Sequence, residues 1–106
     1  MANNYKNSKV DLTTTDATVL YTAPAATTAI IKSILVSEDS GNADTLTVTL
    51  TAGTAVTSLF KVKAVAANAT VEFLTQPLVV MESEILKVTA ATANRLHVTA
   101  SYLEVS

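Results

Sequence analysis

The chain has no cysteine, no tryptophan, two glycines, two prolines and one histidine among its 106 residues. Without cysteine there is no disulfide, no zinc–thiolate centre and no thiol nucleophile. Two glycines are too few for a glycine-rich loop of the kind that cradles phosphate. Charged residues make up 15%, where soluble domains usually carry about a quarter. The net charge is −2, and the seven Lys and Arg are scattered, with only Lys61 and Lys63 close together. Nucleic-acid binding, which wants a basic patch, is therefore not expected. No apolar run reaches bilayer length, so no membrane partner is expected. The opening, Met1 to Lys6, has no apolar signal-peptide core, which places synthesis in a cytoplasm. No cofactor-binding or metal-binding signature stands out, and none is expected.

What is present is threonine, valine and alanine. Hydrophobic residues reach 49% while aromatics stay at 5%, so the core is expected to be built from small and β-branched side chains, which suit strands. From Thr45 to Thr51 threonine and aliphatic residues alternate without a break. That period of two describes a half-buried strand with Leu46, Val48 and Leu50 inward. High β-propensity with little charge also invites self-association, a hazard that membership of a permanent assembly removes.

Taken along the chain, residues 1–16 read as a polar, extended N-terminal arm. It has too little apolar surface to order itself and is expected to lie along another subunit's sheet edge. Residues 17–106 read as one domain. Strands are expected at Thr18–Thr22, across Ala29–Glu38, at Thr45–Thr51, Thr57–Ala66 (with a short helix as the alternative), Thr70–Leu74, Leu78–Met81, Ile85–Ala90 and Arg95–Val105. Breaks fall at Ala23-Pro24, Ser40-Gly41-Asn42, Gly53, Ala67-Asn68-Ala69, Pro77 and Glu82-Ser83-Glu84. About eight short strands at this spacing make an all-β fold, a single antiparallel β-sandwich of jelly-roll-like type. Its expected core includes Leu20, Phe60, Val62, Val71, Phe73, Leu86, Val88, Leu96 and Val98.

Candidate chemistry is thin. His97 alternates outward with Arg95 and Thr99 and has no nucleophile or carboxylate supplied by a motif, so it reads as a surface strand residue. Glu38, Asp39 and Asp44 bracket a glycine-containing loop but lack the EF-hand order, and read as a solvated turn rather than a calcium site. Glu82 and Glu84 read as charges that guard a turn. Asn68-Ala69-Thr70 matches a glycosylation acceptor, read as coincidence without a secretion signal. The threonine stripe of one strand is explained by β-propensity. An enzyme is not expected.

Leu20-Tyr21-Thr22-Ala23-Pro24, a small-residue turn, and Ala29-Ile30-Ile31-Lys32-Ser33-Ile34 carry a resemblance, continued by Ser37–Thr51 and Lys63–Glu72. Over Thr18–Thr75 the chain resembles small β-sandwich virion proteins of tailed bacteriophages. That resemblance implies a non-enzymatic structural component of the virion, foremost a capsid decoration or cement protein. Its partners would be the major capsid protein, other virion proteins and its own copies. The alternatives are a tail, collar or fibre accessory protein, or a receptor- or carbohydrate-binding sandwich. The absence of Trp and of clustered loop tyrosines weighs against sugar binding. Ala69 stands where such sequences usually have glycine.

The contact surface is expected in two places. Lys32 and Glu38 share a face of the strand Ala29–Glu38 if the pleat is regular. Charges are seldom buried unpaired, so that face, with Ile30, Ile34 and Val36, is expected to point outward. A bulge near Ser33 would instead return Ile34 to the core. In the arm, Tyr5, Lys6, Lys9 and Val10 are the expected contact residues.

Overall fold

The computed structural model describes residues 3–106. Among the described residues nine strands run in chain order: β1 (Asn3–Asp11), β2 (Thr18–Thr22), β3 (Thr28–Glu38), β4 (Asp44–Ala52), β5 (Ala55–Val65), β6 (Thr70–Glu72), β7 (Leu78–Val80), β8 (Ile85–Ala90) and β9 (Leu96–Val105). They form two antiparallel sheets, β1-β9-β3 with β6 and β7 both on the far side of β3, and β2-β8-β4-β5. β1 pairs with β9, β2 with β8, β3 with β7 and β6, and β4 with β5. This is one long antiparallel hairpin rolled up, closed by the further pairings β3·β9 and β4·β8. The all-β sandwich is thus of the jelly-roll kind.

Alternation builds the core as the sequence pattern requires. Leu46 and Val48 of β4, Leu86 and Val88 of β8, and Leu96, Val98 and Ala100 of β9 are buried. Phe73, just past β6, fills the space between the sheets with its ring edge against Phe60, centroids 5.3 Å apart. Leu50, Phe60 and Val71 pack at its margin. The β4–β5 hairpin turns on Gly53-Thr54. Gly53 has φ 62°, and a two-residue turn of this sort asks for glycine at its first position.

Two expectations are corrected here. Ordering of the arm by a neighbouring subunit is replaced by pairing within the chain. Residues 3–11, an extended run as expected, form β1, in unbroken register with β9 from Asn3↔Val105 to Asp11↔His97. Leu12 is buried, and its backbone bonds to Leu96 and Asn94. Residues 1 and 2 of that arm lie outside the described residues. Val62, expected in the core, is 58% exposed. Between Leu46↔Lys63 and Val48↔Phe60 the edge strand β5 carries an extra residue, and Val62 takes φ 53° there. Its N–H donates to the Thr47 hydroxyl at 3.1 Å. The bulge turns the valine away from the interior.

Candidate contact face

The expected face of β3 does not survive the register. Between Ile31↔Tyr102 and Ser33↔Ser101 β3 holds one extra residue. Before this bulge Ala29 and Ile31 point inward; after it Ile34 and Val36 do, each fully buried. Ile34 and Val36 are therefore core residues, because a single inserted residue exchanges the two faces of a strand. Ile30 stays outward and half-buried, and Lys32 is exposed at the bulge.

The arm residues divide as well. Tyr5 and Lys9 lie on the outer face, whereas Lys6 and Val10 lie on the inner one, Val10 packed against the core. The outer face of this sheet carries a row across four strands, Tyr5 of β1, Leu103 of β9, Ile30 of β3 and Val79 of β7. Tyr5 is 76% exposed and Val79 51%. Further along lies a second row, Lys9, Thr99, Leu35 and Glu72, with Leu35 41% exposed. Beyond it come Asp11, His97, Ser37 and Thr70. The other sheet's outer face pairs Thr47 with Thr89 and Thr49 with Lys87 at its centre, with exposed Val19, Val56 and Val62 towards its edge strands. The structure thus brings Tyr5 and Ile30 together and separates both from Ile34 and Val36.

Glu72 has a local task. β7 covers β3 at residues 29–31 and β6 at residues 35–37, leaving a gap between. Glu72 spans it, accepting from the Ser33 hydroxyl, from the Ile34 N–H at 2.8 Å and from the Leu74 N–H at 3.1 Å.

The other charged candidates serve the fold. Glu38 is 2% exposed. Its carboxylate accepts the N–H groups of Ser40 (2.8 Å), Gly41 (3.0 Å) and Asn68 (3.0 Å) and the Ser40 hydroxyl. Burial works against its charge, but these four donors outweigh burial and bring its pKa down to about 2. Asp44 is buried too and accepts the Thr92 N–H at 3.1 Å. The loop between β3 and β4 is therefore tied by its own backbone, with the Glu38 oxygens already occupied. His97 stands between two carboxylates, Nε2 3.2 Å from Asp39 and Nδ1 3.6 Å from Asp11. The ring thus lies between β1 and the β3–β4 loop at the outer surface of β9. Among the described residues no group of three or more His, Cys, Asp and Glu is placed to hold a metal ion.

One buried cluster was not anticipated. Glu104, 7% exposed, accepts a hydrogen bond from the Tyr21 hydroxyl at 2.6 Å and pairs with Lys6 Nζ at 2.8 Å. Tyr21 and Tyr102 lie ring to ring, centroids 4.3 Å apart, and Tyr102 bonds Ser8 of β1 at 2.9 Å. Lys6 and Tyr21 hold the Glu104 carboxyl below its ordinary range, against the effect of burial. Burial first, then the bond to Glu104, pushes the Tyr21 phenol up, and that partner raises Lys6 likewise. The signal in the sequence was the strict alternation of β9, which puts Glu104 on the same face as Val98 and Ala100.

No family model and no curated protein matches the chain. Among solved structures, it is similar to one described as the crystal structure of a pentameric capsid protein isolated from metagenomic phage sequences. The two are 18% identical with a TM-score of 0.47, and the match covers 93% of this chain and 59% of that one. The chain therefore spans under two thirds of that protein's length, and the likeness carries no inference about activity or assembly.

Proposed function

We propose that the protein is a non-enzymatic structural component of a phage virion, foremost a capsid decoration or cement protein, which works by burying the outer face of the β1-β9-β3 sheet. The observation that carries the contact role is the apolar row of Tyr5, Leu103, Ile30 and Val79, open to solvent on one side of the sandwich. A free monomer gains nothing from such a row, and a partner's surface would remove it from water. The virion assignment rests on the resemblance in Leu20–Pro24 and Ala29–Ile34. The jelly roll does not decide it, because capsid proteins, lectins and cupins share that fold. The interior here is filled by apolar side chains, which favours a structural role over a cupin-like cavity.

The test is quantitative mass spectrometry of purified particles, with copy number compared to head and tail proteins. A copy number following the capsid lattice supports decoration, one following the tail supports a tail or collar accessory, and absence from particles removes the virion reading. In reconstitution, Ile30→Lys should keep its β spectrum and thermal transition yet lose particle binding.

A further inference from the structure

We infer that the partner on the outer face of the β1-β9-β3 sheet is a second copy of this chain, turned by a two-fold axis parallel to the strands. The inference deepens the contact-surface reading above and rests on it. Across this sheet the strand order is β1, β9, β3, then β6 and β7. A two-fold axis along the strands lays one such sheet on another with that order reversed and every row at its own level. β1 then faces β6 and β7 of the second copy, and β9 faces β3.

The rows complement themselves under this operation. Lys9 sits at one edge of its row and Glu72 at the other, with Thr99 and Leu35 between. The rotation sets Lys9 against Glu72 of the second copy, and Glu72 against its Lys9, two ion pairs related by symmetry. In the apolar row, Tyr5 falls on Val79 and Leu103 on Ile30. At the polar end His97 meets Ser37. Such mutual matching, i against j and j against i, is what an isologous interface requires. A two-fold axis in the plane of the sheet but perpendicular to the strands offers no such matching, because it reverses the levels and sets the apolar row against the row of Asp11 and His97. Glu72 is also fixed in advance. Its carboxylate is held by the Ile34 and Leu74 N–H groups while the residue stays exposed. Sheets packed face to face keep their strands within about 30° of each other, as this axis demands.

The area is modest. Strands of nine and ten residues span about 30 Å, and four of them side by side cover about 19 Å, roughly 600 Å² on each copy. Two such faces reach about 1,200 Å², the lower end of specific interfaces.

The absence of native cysteine makes a direct test simple. Tyr5→Cys and Val79→Cys are made as separate variants, both at exposed positions where the fold should persist. They are mixed and treated with a short bis-maleimide. The inference expects the mixed crosslink in large excess over either homodimeric crosslink. Lys9→Glu, which opposes like charges, should weaken wild-type dimerisation at least tenfold in sedimentation equilibrium, and added salt should weaken the wild type too. A dominant Tyr5→Cys homodimer would mean pairing through the β1 edge, and a wild type that stays monomeric at several hundred micromolar would leave no dimer; either overturns the inference. Both readouts use purified protein alone, so their failure is separate from absence of the chain from particles.

Discussion

Two glutamates are buried at opposite ends of the β3·β9 ladder, and they are held in different ways. Glu38, across from Leu96, is surrounded by backbone N–H groups and one hydroxyl from its own loops. Glu104, across from Ala29, is held by two side chains, Tyr21 of β2 and Lys6 of β1. The first closes the loops next to it and depends on local chain geometry. The second ties an edge strand and the opposite sheet to β9, and one of its partners is half in solvent. A buried carboxylate is tolerable in either case because it is satisfied. Among the described residues no buried side-chain nitrogen or oxygen lacks a hydrogen-bond partner.

Substitutions can separate the two arrangements, and an apolar core residue sets the scale. Phe73→Ala should cost about 3–5 kcal/mol in denaturant unfolding, the expected loss for a large aromatic taken from a packed core. Glu38→Ala should come next, because it removes the shared acceptor of four donors that tie two loops together. The Glu38 loops should also show the acid response. With a folded pKa of about 2 against 4.5 for the free side chain, the folded state holds this proton more weakly than the unfolded state. Its stabilisation is present above about pH 4.5 and is lost as pH falls towards 2. Glu104, also lowered, adds loss in the same direction. A melting-temperature profile in Glu38→Gln should be flatter over that acid range than in the wild type; an unchanged profile would show that Glu38 is not the main titrating group.

Tyr21→Phe removes one hydrogen bond to a charged acceptor and should cost about 1.5–3 kcal/mol, with Lys6 still in place. Lys6→Met should have the smallest global effect, since an exposed partner contributes little after screening. Its signature should be local and salt-dependent, with faster amide exchange in β1 than in β3. If Lys6→Met destabilises as much as Glu38→Ala, the contrast between the two glutamates fails.

Much of this architecture could be read in the residues. The threonine–aliphatic alternation of Thr45–Thr51 gave β4 and its inward side, and the turn residues at Ser40–Asn42, Gly53 and Asn68 marked its boundaries. Two of the errors fall at bulges, Lys32 in β3 and Val62 in β5. An inserted residue leaves composition and propensity untouched while it reverses which side chains face inward. The argument that Lys32 and Glu38 shared an outer face needed a regular pleat. Lys32 does point outward, but Glu38 lies inside, because the loop around it supplies donors that only the folded chain assembles. The contacts of His97 with Asp11 and Asp39, and of Glu104 with Lys6, join distant segments and leave no local pattern. Of the proposed contact row, Tyr5 and Ile30 were among the expected contact residues. That Leu103 and Val79 complete the row follows from strand order, which the residues do not state.

The rolled hairpin also governs when this molecule can come into being. Because β1 pairs with β9 and β2 with β8, the outermost ladders join segments far apart along the chain. Such topologies reach their transition state slowly, since long loops must close before the contacts reward closure. During synthesis β1 must wait, unpaired, until β9 has been made, with only the inner hairpin of β4 and β5 able to form from neighbours. In that interval β1 is a flat strand without a bulge or proline, and neighbouring nascent chains could pair with it before β9 does.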